Sequence, residues 1–104
     1  NMATGVEDIP GLAYKVSVYP NPFNPMTTVN FDLPRAGDVE IRLYSVRGEL
    51  VNVLANEHYV AGSHKVVWQG TDRSGRNVPS GSYFAKLFVD GEAVGSVTKM
   101  SLVR

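Results

Sequence analysis

The chain has 104 residues, which suits one domain, because a second hydrophobic core would need roughly another hundred. Hydrophobic residues make up 43% of it, and ten Lys and Arg balance ten Asp and Glu at a formal net charge of zero. Nothing therefore concentrates positive potential, which argues against binding to nucleic acid or to anionic membranes. The absence of cysteine excludes disulfides, thiolate metal sites and cysteine nucleophiles.

Residues 1–14 are interpreted as a linker or flexible arm, since they have neither a helical nor an alternating period. Asn1 and Met2 are set aside as consistent with an expression remnant. The arm has no basic start followed by an apolar stretch, so we expect any export signal to belong to a larger parent protein.

From Lys15 onward the chain is a series of short runs that alternate between apolar and polar residues, which is typical of β-strands. The first run is residues 15–19. Residues 19–25 then contain three prolines, and because proline has no amide donor this segment predicts an extended, rigid corner instead of a central strand. The other predicted strands are residues 27–33, 38–46, 49–55, 64–69, 82–90 and 93–103.

The spacing of these runs predicts the fold class. Seven or eight strands follow one another at intervals of about ten residues, and no window has a sustained helical period. Because parallel sheets need crossover helices, we predict an all-β, Ig-like or fibronectin-III-like antiparallel sandwich over residues 15–104. Trp68 and Phe31 are predicted to fill the space between the sheets by packing alone.

The candidate catalytic and metal-binding groups form no recognisable site. His58 and His64 are the only imidazoles, and they lack further ligands at a fixed spacing. Asp72 opens a calcium-like Asp-Arg-Ser-Gly sequence, but one carboxylate and one hydroxyl fall short of about six oxygens, so we interpret it as an Asx turn. No serine lies in a Gly-x-Ser-x-Gly elbow. We therefore predict no enzyme, no cofactor and no metal site.

Four aromatic residues allow two interpretations. Tyr44, Tyr59, Phe84 and Phe88 would suit a sugar-stacking platform or ordinary packing on the sheets. We favour packing, because the sequence does not space them along one obvious open face.

Five short motifs follow one another between Val16 and the last residue. They are Tyr19-Pro-Asn-Pro22 with Phe23-Asn-Pro25, Leu43-Tyr44 leading to Gly48, Asp72-Arg-Ser-Gly75, Val78-Pro-Ser-Gly-Ser-Tyr83, and Lys99-Met-Ser-Leu-Val-Arg104. In this order they resemble the C-terminal sorting domains of proteins exported by the type IX (Por) secretion system of Bacteroidetes-like bacteria. The Ig-like domain of flagellar hook-capping proteins is similar over residues 72–83. The sorting family often ends in lysine, whereas this sequence ends in Arg104.

The resemblance implies a domain that folds in the periplasm after Sec export of its parent and is then carried to the cell surface or outside the cell. The implied partners are the outer-membrane translocon, a sortase-like cysteine peptidase that cuts in the arm before Lys15, and the N-terminal parent cargo, with weak self-association as a further expectation. The peptidase can attach the parent to surface lipopolysaccharide. The implied translocon-recognition residues are Pro20, Asn21, Pro22, Gly81, Tyr83, Lys99 and Arg104.

Two other roles fit the same sequence. One is an accessory carbohydrate- or protein-binding module of an extracellular hydrolase or adhesin. The other is a structural spacer or assembly domain, as in hook-capping proteins, which would stay attached to the mature protein. Exposed, coplanar aromatic rings would favour the first of these roles.

Overall fold

The computed structural model describes Ile9 and residues 11–104, and these residues contain seven β-strands and no helix. The strands are β1 (Lys15–Tyr19), β2 (Thr27–Leu33), β3 (Gly37–Ser45), β4 (Leu50–Tyr59), β5 (Gly62–Trp68), β6 (Gly81–Val89) and β7 (Glu92–Leu102). Each corresponds to one of the predicted runs. Most of the predicted arm lies outside the described residues, but Ile9 donates its amide to the Pro34 carbonyl at 2.7 Å.

The strands form two antiparallel sheets. The order in the three-stranded sheet is β1-β2-β5, and the order in the four-stranded sheet is β4-β3-β6-β7. The sheets meet along one side, where the Thr98 hydroxyl of β7 donates to the Val16 carbonyl of β1 at 3.0 Å. This arrangement confirms the predicted Ig-like sandwich.

The core lies between the sheets and follows the alternation of the sequence. In β2 and β3 every second side chain is buried, and the same holds for β6. Trp68 is 1% exposed and Phe31 is fully buried, so the prediction that both fill the inter-sheet space is confirmed. Full burial of each large apolar side chain contributes roughly 1.5–3 kcal/mol, which is how a domain without disulfides holds its sheets together.

β4 is longer than its predicted counterpart, which ended at residue 55. Its backbone pairs with β3 as far as Tyr59, including Glu57 opposite Val39 and His58 opposite Asp38. Residues 56–58 are all exposed, because β4 is at the edge of its sheet. The polar sequence Asn-Glu-His therefore lacks the alternation by which a half-buried strand is recognised.

The four aromatic residues separate into two groups. Tyr59 packs against the core, with its ring edge-on to Phe31 at a centroid distance of 5.1 Å, as the packing interpretation predicted. Tyr44, Phe84 and Phe88 alternate with buried neighbours on β3 and β6, and they lie half-buried on the outer face of the four-stranded sheet. These three side chains therefore pack on the outside of the sheet, because their positions in the alternation direct them away from the core.

Candidate recognition site

The proline-rich corner between β1 and β2 is bound to the end of β7. The Asn21 amide nitrogen Nδ2 donates to the Lys99 carbonyl at 2.9 Å, and its oxygen Oδ1 accepts from the Ser101 amide at 2.9 Å. The Thr27 hydroxyl donates to the Pro20 carbonyl at 2.7 Å and holds the other side of the corner. Because the flanking prolines have no amide donor, the Asn21 side chain supplies two polar contacts to β7.

Phe23 continues this contact with its backbone. Its amide donates to the Ser101 carbonyl and its carbonyl accepts from the Val103 amide, both at 2.9 Å. The two bonds pair Phe23 with Leu102 in a short parallel bridge. The corner is therefore a strand-like partner for residues 101–103.

Three aromatic rings lie beneath the corner. The Phe23 and Trp68 ring centroids are 5.6 Å apart, and those of Trp68 and Tyr83 are 5.3 Å apart. The polar atoms of these rings are satisfied, since Trp68 Nε1 donates to the Thr71 carbonyl at 2.8 Å and the Tyr83 hydroxyl to the Pro79 carbonyl at 2.6 Å. Burial raises the pKa of the Tyr83 hydroxyl above its ordinary value.

Arg104 joins the last residues of the sequence to the loop between β5 and β6. Its Nε donates to the Val78 carbonyl at 2.6 Å, its Nη2 donates to the Gly70 carbonyl, and its backbone amide donates to the Ser80 hydroxyl at 2.8 Å. Gly70 has φ of +70°, and a Cβ there would lie 2.7 Å from Arg104 Nη2 and 3.2 Å from the Pro25 carbonyl oxygen. A side chain here would strain the backbone and displace the Arg104 guanidinium, which favours glycine.

The loop between β5 and β6 is held by one carboxylate. Asp72 Oδ1 accepts from the Ser74 amide at 2.9 Å, the Ser74 hydroxyl at 2.8 Å and the Arg76 amide at 3.0 Å, which confirms the predicted Asx turn. Hydrogen bonds from Ser74 and Arg76 lower the pKa of Asp72 below its ordinary value. Asn52 on β4 anchors the loop by donating to the Thr71 carbonyl at 2.8 Å.

The structure brings the seven candidate recognition residues to one end of the sandwich, where β1 and β7 end and β2 and β6 begin. Six of them are exposed: Pro20, Asn21, Pro22, Gly81, Lys99 and Arg104. Tyr83 is only 5% exposed, so it supports this end of the domain from inside and offers almost no contact area. The Arg104 guanidinium already binds two backbone carbonyls.

Two residues that hold this end together were not among the candidates. Thr27 is 1% exposed and binds the corner, and Gly70 leaves the space that Arg104 occupies. The sequence signal for Gly70 is limited to its residue type. A glycine in a polar loop suggests a positive φ, but it does not show which distant residue packs against it.

Neither histidine belongs to a metal-binding cluster. His58 Nδ1 lies 3.0 Å from Asp38 Oδ1, and His64 Nε2 lies 2.7 Å from the Val60 carbonyl oxygen. Within Ile9 and residues 11–104, no group of three or more His, Cys, Asp or Glu side chains is placed to hold a metal ion. The same residues include no helix with the length and apolar character needed to span a membrane.

Comparison with known proteins gives a family match and several structural neighbours. The FlgD Ig-like domain family matches residues 23–92, which run from the corner to the start of β7. Comparison with curated proteins found no match. Among solved structures, dimeric latent PorU from Porphyromonas gingivalis is similar, with a TM-score of 0.76 and 22% identity over 91% of this chain.

Two further structures share the fold. PorZ, a surface component of the type IX secretion system of Porphyromonas gingivalis, has a TM-score of 0.59 and 17% identity over 95% of this chain. FlgD from P. aeruginosa has a TM-score of 0.58 and 24% identity over 88% of this chain. The chain covers 77% of that FlgD structure but only 10% of PorU and 16% of PorZ.

These neighbours agree on the architecture. At identities between 17% and 24%, they show a common Ig-like fold, and PorU and PorZ carry such a domain as a small part of a much larger chain. The match over residues 23–92 covers most of the sandwich described above. This chain therefore belongs to the FlgD Ig-like domain family, whose members are small, non-catalytic modules.

Proposed function

We propose that this chain is a non-catalytic sorting and anchoring domain of a secreted or cell-surface protein. An outer-membrane translocon recognises the domain, and a sortase-like peptidase removes it from the parent protein. The observation that carries the proposal is the direct bonding of the corner and of the loop between β5 and β6 to residues 99–104. Three motifs that are far apart in sequence thereby form one end of the domain.

This end is suited to recognition of the folded state. Asn21 and Lys99 are 78 positions apart in sequence, so their contact forms only when the sandwich has closed. Pro20 and Pro22 are exposed and have a fixed φ, which lowers the conformational entropy lost when a partner binds. A translocon that contacts this end would select folded cargo.

The proposal assigns the cleavage to the segment before Lys15. Residues 12–14 are described and belong to no strand, and peptidases need a stretch of backbone that can enter their cleft. The parent protein would pass through the periplasm and reach the cell surface without this domain. PorU and PorZ are both from Porphyromonas gingivalis, and PorZ is a surface component of its type IX secretion system. The likeness of this domain to part of each of them supports the proposal.

The test is a fusion of a reporter protein to this domain, expressed behind a Sec signal in a host with a type IX system. We expect the reporter at the cell surface, with an intact mass that lacks the domain. A Lys99→Glu fusion should reach the surface several-fold less, because it reverses an exposed charge at the proposed recognition end.

The matched control is Lys65→Glu, which reverses another exposed lysine on β5, away from this end. A wild-type fusion that stays uncut in the periplasm would overturn the proposed function. Equal loss with both lysine variants would overturn the assignment of recognition to this end.

The family match supports a second candidate, a structural Ig-like module that stays attached to its parent. The two candidates differ in the mass of the mature parent protein recovered from its native host. A mass that includes the domain favours the structural module, whereas a mass without it favours the sorting domain.

A further inference from the structure

The outer face of the four-stranded sheet carries a row of residues of unusual composition. Across β4, β3, β6 and β7, the paired positions are Leu50, Tyr44, Phe84 and Lys99 in that order. Tyr44 and Phe84 are directly opposite each other, which brings their Cβ atoms to within about 5.5 Å. Two aromatic residues are therefore cross-strand neighbours on this face, with a lysine at the end of the row.

These rings line an open trough of about 430 Å³. Val46 and Val97 also line it, and they are 70% and 53% exposed. Lys86, two residues after Phe84 on the same face of β6, also lines the trough. The trough is thus an apolar surface with a cation beside it.

Of the three cationic side chains on this face that bear on the trough, one is paired with a carboxylate and two are not. Arg42 is paired with Glu40 at 2.7 Å and stacks on the Phe88 ring, with its Cζ 3.9 Å from the ring centroid. Lys86 and Lys99 have no carboxylate within 4.0 Å among the residues that the structure describes. Lys86 Nζ lies 5.6 Å from the Phe88 ring centroid, a contact that leaves its charge unneutralised. The two amines therefore complement an anionic ligand.

The position of the trough narrows the class of ligand. β3 and β6 are the central strands, and they are paired on both sides, so their backbone offers few groups to a partner. An added peptide strand would use the backbone of a sheet edge instead. Recognition here depends on ring faces, which carry partial negative charge and attract polarised C–H groups, and on the two amines.

We propose that this face binds an acidic polysaccharide, with sugar rings on Tyr44 and Phe84 and carboxylate or similar anions at Lys86 and Lys99. An open trough buries little of the surface of a small molecule, so its affinity for one sugar is low. A polymer raises the overall affinity by making the same weak contact repeatedly. The inference does not depend on the sorting role, because it concerns a different ligand and, apart from Lys99, different residues.

The test is affinity electrophoresis and titration of the whole chain with polygalacturonate, alongside neutral dextran and poly-glutamate. We expect binding to polygalacturonate that weakens as salt is raised, and no binding to dextran. Lys86→Gln should weaken binding about two- to fivefold and Tyr44→Ala roughly two- to tenfold. Circular dichroism spectra of each variant establish that it is folded.

The matched controls are Lys65→Gln and Tyr19→Ala on the outer face of the other sheet, where Tyr19 is 78% exposed. Neither should change the affinity. Failure to bind polygalacturonate would overturn the proposal, and equal binding of poly-glutamate would replace it with an acidic protein partner. Equal losses in the control variants would show that the site is elsewhere.

Discussion

At the scale of single residues, a few polar side chains bind the backbone groups that the strands leave open. Asn21 binds both a carbonyl and an amide of β7, and Arg104 binds two carbonyls of the loop between β5 and β6. Asp72 accepts three hydrogen bonds within that loop. Each of these side chains forms hydrogen bonds with backbone groups that no neighbouring strand pairs.

The Asp72 carboxylate should make the stability of the domain depend on pH. Its folded-state pKa is lowered from 3.8 by hydrogen bonds from Ser74 and Arg76. A lowered pKa stabilises the fold above the unfolded value, and this stabilisation is lost as the pH falls through the folded value. The free energy of unfolding of the wild-type protein should therefore drop more between about pH 6 and about pH 3 than that of Asp72→Asn.

Urea denaturation at each pH gives this difference. Glu92→Gln is the control, since it removes an exposed carboxylate that makes no hydrogen bond or ion pair with the residues that the structure describes. A parallel pH dependence in the wild-type protein and Asp72→Asn would show that the Asx turn contributes nothing through its charge.

At the scale of elements, the corner behaves as an eighth strand-like segment. It adds no regular strand, yet Phe23 pairs with Leu102, and its ring packs on Trp68. Prolines prevent the corner from joining a sheet as a central strand, so it binds β7 through the positions between them. The corner and residues 99–104 are consequently one structural unit.

Asn21→Ala should loosen this unit. It removes two hydrogen bonds, so we expect a loss of about 1–2 kcal/mol in the free energy of unfolding. The Ser101 amide should also exchange its hydrogen faster, because its acceptor is gone. Asn56→Ala, at an exposed position of β4, should stay within about 0.5 kcal/mol of wild type. Unchanged Ser101 exchange would show that the corner is held by Phe23 alone.

At the scale of the whole molecule, stability comes from the single core between the two sheets. Phe31 is fully buried there and touches both Tyr59 and His64. The outer face of the four-stranded sheet is a separate aromatic surface, where Phe88 is covered by Arg42. Loss of an aromatic ring should therefore lower the free energy of unfolding more in the core than on this outer face.

Phe31→Ala should destabilise the domain by about 3–5 kcal/mol, since it leaves a cavity in the core. Phe88→Ala is the matched variant and should cost roughly 1 kcal/mol, because it loses partial burial and one cation–π contact. Thermal and urea unfolding measure both. Equal losses would mean that the outer face is part of the core, which would also weaken its assignment as a binding surface.

The sequence by itself determined the sandwich and most of its strands. Period-two alternation is a local property, so β2 could be delimited from its own residues, and Trp68 and Phe31 could be assigned to the core. The Asx turn at Asp72 was also predictable, because its partners are two and four residues away. The predicted counterpart of the edge strand β4 ended too early, at residue 55, because the exposed residues that follow do not alternate.

Only the tertiary structure decided which residues the motifs bring together. Asn21 and Lys99, or Gly70 and Arg104, meet across 78 and 34 positions of sequence, and no local pattern encodes such a contact. Burial likewise leaves Tyr83 almost no area to contribute to the proposed recognition end. Tyr44, Phe84 and Lys99 became one row only through the strand register. Alternation tells which side chains share a face of their own strand, whereas strand order and register fix which strands become neighbours.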